Sequence, residues 1–198
     1  MEAQIVLVRH GETAWSLAGR HTGRTDIPLT PNGEVQAMSI AETLSEWNFG
    51  ARFASPLQRA TQTARLSGVD EELMLLDDLM EWDYGIFEGR TNEDILAERP
   101  GWSKWFDEIH GGEAVRQVGD RADRVIDTLA IASQQGPVIA FAHGHLLGVL
   151  IARWLGMPAV DGRRFVLETG TVTVLGAKRG DRVLRIFNQA CGHVTIGV

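Results

Sequence analysis

Two arginines, two histidines and one glutamate in this sequence have the chemistry needed to transfer a phosphoryl group: Arg9, Arg59, His10, His143 and Glu81. Guanidinium groups match phosphate oxygens, and a neutral imidazole can attack phosphorus to form a phosphoramidate. A glutamate can protonate the leaving alkoxide and then deprotonate the attacking water. Each residue alone has a structural alternative: a hydrogen-bonded histidine, a surface cation or a solvated carboxylate. Together they indicate a pocket for a dianionic phosphate.

A metal site built from His10, His143 and His145 is the competing interpretation of the histidines. Two nearby arginines would repel a divalent cation, because like unit charges about 4 Å apart at an effective dielectric constant of about 20 cost roughly 4 kcal/mol for each pair. The phosphate-binding loop pattern G-x-x-x-x-G-K-[ST] is absent from the sequence. We therefore expect neither a metal nor another cofactor.

Short apolar runs predict the strands of a buried sheet. The runs are residues 5–8, 53–54, 73–76, 138–142, 171–176 and 183–187, of which the third is the weakest. Helical patterns lie between them. This alternation predicts an α/β fold, a three-layer sandwich with a central, mostly parallel (mixed) sheet of about six strands and helices on both faces.

Four helices are predicted from their start signals and from apolar residues at helical spacing. The first begins at Thr30-Pro31, and the second extends from Ser55-Pro56 to about Leu66. The third and fourth cover residues 115–132 and 146–155. In the first of them the expected buried face consists of Val35, Met38, Ile40, Ala41 and Leu44. The irregular segments 15–29 and 82–113 are candidate loops or lids over a site.

The candidate residues follow the carboxyl ends of the predicted strands. Arg9-His10-Gly11 ends the first run, and His143-Gly144-His145 ends the fourth. Arg59 falls in the first turn of the helix after the second run, and Glu81 lies beyond the third. Ligands of parallel sheets bind at this edge, so we expect both histidine segments to face one site. The glycines of the two segments are expected to let backbone amides approach the phosphate.

Composition and charge exclude several classes of protein. The chain has 198 residues, 44% of them hydrophobic and 23% charged, which suits a single domain spanning residues 1–198. A net charge of -7 disfavours nucleic acid as a partner. The only cysteine is Cys191, which excludes an internal disulfide framework and is compatible with a cytoplasmic location. Neither a signal peptide nor a membrane span is expected from the apolar runs.

The motifs around these residues resemble those of the histidine phosphatase superfamily, also called the phosphoglycerate mutase-like family. The resemblance covers most of the chain, and its motifs follow the family's order. They are Leu-Val-Arg-His-Gly-Glu-Thr at 7–13, His-Thr-Gly at 21–23, Pro-Leu-Thr-Pro-Asn-Gly at 28–33, Ser-Pro-Leu-Gln-Arg-Ala at 55–60, Glu81, Tyr-Gly at 84–85, Glu-Gly at 88–89 and Phe-Ala-His-Gly-His at 141–145.

The resemblance implies a role for each residue of the site. His10 would be the phosphoryl-accepting nucleophile and Glu81 the general acid and base. The phosphate pocket would consist of Arg9, Arg59 and His143. Further pocket contacts are implied for Ser16, Thr22 and Gly23, although many family members carry asparagine where this chain has Ser16.

The resemblance extends to two branches of the family, phosphatases and cofactor-dependent mutases. Mutases of this family usually have arginine directly after the acid/base glutamate, a longer insertion and a C-terminal lid. Here Trp82 follows Glu81, and residues 192–198 offer little lid. A mutase must keep its phosphohistidine from water, so these differences favour hydrolysis. The expected activity is that of a metal-independent phosphatase similar to acid phosphatases and sugar bisphosphatases, with a small phosphorylated metabolite as its partner.

Several assignments remain open at this stage. A phosphoglycerate mutase is the alternative activity, and a non-catalytic phospho-ligand-binding regulator is a third. Trp82 is expected at the substrate mouth, and His145 either contacts a second phosphate or a sugar hydroxyl, or packs beneath the site. The loop residues Arg20, His21 and Arg24 either reach a distal anionic group or are solvated. A homodimer through the apolar strip of the last strand is compatible with the sequence.

Overall fold

The central sheet contains six strands within residues 4–191, which are the residues that the computed structural model describes. They are β1 (Gln4–Arg9), β2 (Ala51–Ala54), β3 (Met74–Leu75), β4 (Val138–Ala142), β5 (Thr171–Lys178) and β6 (Asp181–Ala190). Their order across the sheet is β3-β2-β4-β1-β5-β6. The pairs among β1 to β4 are parallel, whereas β5 is antiparallel to both β1 and β6. The prediction of a mixed sheet of about six strands is confirmed.

The helices form layers on both faces of this sheet. They are α1 (Ala14–Leu17), α2 (Pro31–Leu44), α3 (Gln58–Leu66), α4 (Asn92–Glu98), α5 (Val115–Ala132) and α6 (Gly144–Trp154). Successive side chains of a strand point to opposite faces, and each face of the sheet has its own core. Leu7 of β1 belongs to the core that contains Leu150 of α6. Its neighbour Val8 belongs to the core that contains Ile40 of α2.

The buried face of α2 differs from the predicted one. Thr30 begins the helix as expected, since its Oγ1 accepts a 3.0 Å hydrogen bond from the Gly33 N–H. The side chains that α2 buries are those of Ala37, Ile40 and Leu44, besides the backbone at Gly33. Val35 and Met38 are 59% and 50% exposed, so the prediction that they face the core is wrong. They lie off the stripe that the spacing of the buried positions defines.

The edges of the sheet are short or irregular. β3 has only two residues, and both are exposed, which agrees with the weak apolar signal of this run. β6 forms the other edge, where Ile186 and Phe187 are 38% and 40% exposed. A homodimer through this strand stays a prediction. Residues 192–198, judged too short for a lid, lie outside the described residues.

The centre of the sheet is covered on both sides. All five residues of β4 are buried, because both faces of this central strand are covered. Its neighbour β1 is likewise buried from Ile5 to Val8. The ends of these two strands are therefore fixed by the core. Across residues 4–191, the helices are too short or too polar to cross a membrane.

Candidate active site

The carboxyl ends of β1 and β4 bring His10 and His143 together. Arg9 stands opposite Ala142 in the parallel register, and the His10 N–H donates a 3.0 Å hydrogen bond to the Ala142 carbonyl. The centroids of the two imidazole rings are 5.1 Å apart. The prediction that both histidines lie at one edge of the sheet is confirmed.

A cavity of about 340 Å³ opens beside His10, a volume in the range of small-molecule sites. Three of the candidate catalytic residues line it: Arg9, His10 and Glu81. Four of the predicted binding residues do so as well: Ser16, Thr22, Gly144 and His145. Other lining side chains include those of Tyr84, Asn92, Lys104, Trp105 and Arg163.

His10 lines this cavity as a neutral imidazole with a lone pair on Nε2. Its Nδ1 lies 2.7 Å from the carbonyl oxygen of Gly11. A carbonyl only accepts, so Nδ1–H is the donor and Nε2 is unprotonated. Burial lowers the pKa of His10 well below its ordinary value, and the positive charges of Arg59 and Arg9 lower it further. His10 is therefore neutral at neutral pH, and Nε2 carries its free lone pair.

Arg9 is the cation next to His10 in the cavity wall. Its Nη1 donates to the carbonyl oxygen of Leu167, whereas its buried Nε has no hydrogen-bond partner among the described residues. A β-carbon on Gly144 would lie 3.2 Å from Cζ of Arg9. Gly144 thus leaves room for the guanidinium group. A phosphate oxygen can accept a hydrogen bond from this unpartnered N–H group.

Arg59 and His143 lie behind His10, which corrects the prediction that both form the wall of the phosphate pocket. Neither has exposed surface. Arg59 Nε donates a 3.1 Å hydrogen bond to His143 Nδ1. Its remaining nitrogens donate to the backbone carbonyls of Thr22, Gly23 and Thr25. These bonds use four of the five N–H groups of the Arg59 side chain.

The hydrogen bond from Arg59 also fixes the tautomer of His143. Arg59 Nε can only donate, so His143 Nδ1 accepts, and Nε2–H donates to Ser55 Oγ at 2.8 Å. Burial lowers the pKa of His143 well below its usual range, and the charge of Arg59 lowers it further. Sequence patterns do not reveal the contact with Ser55, because the two residues are 88 positions apart.

Glu81 joins the cavity wall to the first turn of α6. Its Oε1 accepts hydrogen bonds from the backbone N–H groups of Trp82 and Leu146 at 2.8 and 2.9 Å. Its Oε2 accepts one from the His145 N–H at 3.0 Å. The N–H groups at a helix start have no partner within the helix, and Glu81 supplies one. Glu81 is 5% exposed, so the alternative of a solvated carboxylate is wrong.

Gly11 is required for packing and not for approach to a ligand, which corrects the interpretation made from the sequence. Its N–H donates a 3.1 Å hydrogen bond to Thr63 Oγ1 and is not free to bind phosphate. A β-carbon on Gly11 would lie 2.3 Å from the carbonyl oxygen of Gly33. The start of α2 therefore packs directly against the backbone beside His10.

Two predicted substrate contacts, Gly23 and Trp82, lie outside the cavity. The Gly23 N–H donates to both carboxylate oxygens of Glu88, at 2.9 and 3.1 Å. Trp82 has no exposed surface, and its indole N–H donates a 2.7 Å hydrogen bond to the Glu113 carbonyl. Trp105, whose ring stands edge-on to Trp82 with centroids 5.1 Å apart, lines the cavity instead. The prediction that Trp82 lines the substrate mouth is wrong because Trp82 is a core residue.

Two of the three basic residues in the loop after α1 line the cavity, and the third does not. Arg20 and His21 line the cavity. Arg20 Nη1 donates to the Gly89 carbonyl at 3.0 Å. Arg24 instead forms ion pairs with Asp83 and Glu113, at 3.7 and 3.5 Å, and does not line the cavity.

Two further residues of the cavity wall, Lys104 and Tyr84, were not predicted from the sequence to contribute to it. The Tyr84 hydroxyl and His145 Nδ1 share a 2.6 Å hydrogen bond, which orients the His145 ring in the cavity wall. Lys104 is half-buried in that wall. Lys104 belongs to no motif of the sequence, and no signal marks it there.

The three histidines considered as metal ligands use ring nitrogens in hydrogen bonds to different protein groups. Both nitrogens of His143, and the Nδ1 atoms of His10 and His145, are engaged in hydrogen bonds. Between residues 4 and 191, no three His, Cys, Asp or Glu side chains are grouped so that they could hold a metal ion.

A mixed α/β sheet with a neutral histidine, an arginine and a buried glutamate around one cavity is the arrangement typical of histidine phosphatases. The sequence profile of the histidine phosphatase superfamily (branch 1) matches residues 5–190. The chain belongs to this superfamily.

Its curated relatives include proteins named as phosphatases and as mutases. An acid phosphatase of Mycobacterium tuberculosis is 37% identical over 194 residues, 96% of this chain and 94% of the relative. A sedoheptulose 1,7-bisphosphatase of Saccharomyces cerevisiae is 35% identical, covering 77% of this chain and 67% of the relative. A probable phosphoglycerate mutase of Serratia proteamaculans is 32% identical, covering 83% and 80%.

The fold is shared with solved structures over nearly its whole length. The product of an open reading frame of Mycobacterium tuberculosis superimposes with a TM-score of 0.91 at 35% identity. The match covers 95% of this chain and 98% of the solved one. With phosphatases among these relatives, the family membership supports a phosphoric monoester hydrolase.

Proposed function

We propose that this protein is a metal-independent phosphatase that hydrolyses a phosphomonoester through a phosphohistidine on His10. The observation that carries the proposal is the Nδ1–H bond from His10 to the Gly11 carbonyl, which leaves Nε2 unprotonated in a neutral ring. An unprotonated nitrogen is the form of histidine that attacks phosphorus. Arg9 and Glu81 line the same cavity and supply a cation and a proton carrier.

In the first step His10 Nε2 attacks phosphorus, the P–N bond forms and the bond to the leaving-group oxygen breaks. Glu81, protonated at this stage, gives its proton to the departing alkoxide. The hydrogen bonds that Glu81 accepts from the start of α6 hold its carboxyl group at the cavity wall. Arg9 donates to the equatorial phosphate oxygens, and Arg59 stabilises their charge from behind His10.

In the second step a water molecule attacks the phosphohistidine. Glu81, now a carboxylate, takes a proton from this water as the P–N bond breaks. Inorganic phosphate is released, and His10 returns to its neutral form with the lone pair on Nε2. The bond between Arg59 and His143 remains in place throughout, so the charge behind His10 does not have to reorganise.

The proposed substrate is a small phosphorylated metabolite: a sugar phosphate, a sugar bisphosphate or a compound resembling phosphoglycerate. The volume of about 340 Å³ supports this class because it suits a metabolite and not a macromolecule. The names of the relatives, an acid phosphatase and a sugar bisphosphatase, agree with it.

A phosphoglycerate mutase is the second candidate, and the name of a relative that is 32% identical favours it. The position after Glu81 supports hydrolysis, because a core residue, Trp82, stands there and not the arginine that is usual in mutases of this family. The two activities give different products from 3-phosphoglycerate. Hydrolysis releases inorganic phosphate, whereas a mutase primed with bisphosphate forms 2-phosphoglycerate without net release.

The direct test is the hydrolysis of p-nitrophenyl phosphate in the presence of EDTA by wild type, His10→Ala and His110→Ala. His110 has an exposed side chain and serves as the matched control. We expect His10→Ala to lose at least about 10,000-fold in kcat, because the nucleophile is gone. His110→Ala should match wild type. Wild-type rates in His10→Ala would refute the proposal.

A further inference from the structure

The cavity carries more positive than negative charge. The cations that line it are Arg9, Arg20, Lys104 and Arg163, whereas the carboxylate lining the described part is that of Glu81. Arg163 is paired with Asp161 at 3.2 Å. Arg9 serves the phosphate at the reaction centre. Arg20 and Lys104 are then the lining cations that the reaction centre does not use, and they are available to a second anionic group on the ligand.

Lys104 is a cation of this wall that forms no ion pair with residues 4–191. Among residues 4–191 its ammonium group has no hydrogen-bond or ion-pair partner, although the residue is half-buried. Burial lowers the pKa of Lys104, and the charge of Glu81 raises it. The Lys104 Nζ atom keeps accessible surface, so an anion in the cavity can reach it. Lys104 is therefore poised to bind an anion.

His21 provides a second, independent sign of a ligand in the same region. It is 7% exposed, its Nδ1–H donates a 3.1 Å hydrogen bond to the Arg90 carbonyl, and its buried Nε2 has no partner among the described residues. Burial lowers the pKa of His21 to about 4, and the charge of Lys104 lowers it too, so Nε2 is an acceptor at neutral pH. Buried acceptors normally receive a hydrogen bond, and here a donor group on the ligand would supply it.

Lys104, His21 and His145 all line the cavity. The charge of Lys104 lowers the pKa of both His21 and His145, after the larger effect of burial. The centroids of these two imidazole rings are 6.4 Å apart. The charges that act on His10 are those of Arg59 and Arg9 instead. Lys104 lines the same cavity as His10, so a ligand whose phosphate lies at His10 can present a second group to Lys104.

We propose that Lys104 selects substrates carrying a second anionic group, a carboxylate or a second phosphate, which its ammonium group binds while the first phosphate lies at His10. This proposal rests on the proposed function, because it assigns the substrate class of the same site. A charged hydrogen bond in a partly buried site changes affinity by about 10- to 100-fold.

The test compares matched substrates that differ only in the second anion. 3-Phosphoglycerate and glycerol 3-phosphate differ by a carboxylate in place of a hydroxymethyl group. Fructose 1,6-bisphosphate and fructose 6-phosphate differ by a phosphate. Each is assayed for phosphate release with wild type, Lys104→Met and Lys178→Met. Lys178 is exposed at the end of β5 and is the other lysine of the chain.

We expect Lys104→Met to lose about 10- to 100-fold in kcat/KM on the doubly anionic member of at least one pair, with less than about 3-fold change on its partner. The pair that responds identifies the second anion as carboxylate or phosphate. Lys178→Met should behave as wild type on all four. An equal loss on both members of each pair would show a structural role and overturn the proposal, as would no loss at all.

A binding measurement separates this proposal from the proposed function. Acetic anhydride acylates lysine amines, and mass spectrometry follows Lys104 and Lys178 separately in the wild-type protein. We expect 3-phosphoglycerate or fructose 1,6-bisphosphate to slow acylation of Lys104 and not of Lys178, and the singly anionic partner to protect less. Protection without phosphate release would refute only the proposed function. Release without protection, by either doubly anionic compound, would refute only the role of Lys104.

Discussion

The backbone of Gly11 lies against the backbone of Gly33, so that a β-carbon on Gly11 would stand 2.3 Å from the Gly33 carbonyl oxygen. A contact this short with backbone cannot be relieved by rotating a side chain. The contact joins the segment that carries His10 to the first turn of α2. The position of His10 therefore depends on how α2 packs against this segment.

We predict that Gly11→Ala destabilises the protein by about 1 to 3 kcal/mol, the usual range for overpacking, and lowers activity because His10 moves. Gly50→Ala is the matched control, since a β-carbon there would meet nothing closer than 3.6 Å. Urea denaturation and aryl phosphate hydrolysis measure both effects. Equal stability of the two variants would contradict the packing role of Gly11.

Glu81→Gln is predicted to lose about 100- to 10,000-fold in kcat/KM on an alkyl phosphate, the usual contribution of a general acid. The loss should be much smaller on p-nitrophenyl phosphate, whose leaving group is a weak base and needs little protonation. A structural role of Glu81 at the start of α6 would lower both rates equally.

The control for Glu81→Gln is Glu108→Gln, because Glu108 is exposed and outside the cavity. It should leave both rates unchanged. Equal losses on glycerol 3-phosphate and p-nitrophenyl phosphate in Glu81→Gln would contradict acid catalysis by Glu81. Thermal unfolding of both variants separates any loss of stability from the loss of rate.

His21 should make the stability of the protein depend on pH in mildly acid solution. Burial lowers its pKa from 6.5 to about 4 in the folded state. Between these values the unfolded chain binds more protons than the folded one, so the free energy of unfolding falls as pH decreases through this window. The shift corresponds to a contribution on the order of 3 kcal/mol that is present above pH 6.5 and lost near pH 4.

The variant His21→Asn tests this contribution, since its side-chain amide can still donate to the Arg90 carbonyl. We expect the difference in unfolding free energy between about pH 7 and about pH 4 to shrink by roughly 2 to 3 kcal/mol. His110→Asn, at an exposed position, should leave that difference as in wild type. An unchanged difference in His21→Asn would show that His21 titrates normally in the folded protein.

The sequence predicts the parts of the fold that depend on local patterns. The order of strands and helices follows from apolar periodicity, and the parallel pairing of β1 and β4 brings His10 and His143 to one edge. The limits of such patterns show in α2, where Val35 and Met38 are apolar but exposed. Apolar residues indicate a helix more reliably than they indicate which of its faces is buried.

The arrangement of side chains around the cavity depends on distant parts of the chain and could not be predicted. Arg59 is a donor to three carbonyls of another loop, so it lies behind the cavity and not in its wall. Trp82 is buried because its indole N–H reaches the Glu113 carbonyl, 31 positions away. Lys104 carries no motif of its own, and only the folded structure shows that it lines the cavity without a partner among residues 4–191.

The formation of a phosphohistidine on His10 is the central claim, and rapid-quench trapping tests it most directly. Wild type and His10→Ala are mixed with ³²P-labelled substrate and quenched in alkali, where phosphohistidine is stable and most phosphoesters to serine or threonine are not. We expect a labelled, acid-labile phosphopeptide containing His10 that appears and decays at rates compatible with turnover. Turnover without any label on His10, or label on another residue in both proteins, would contradict it.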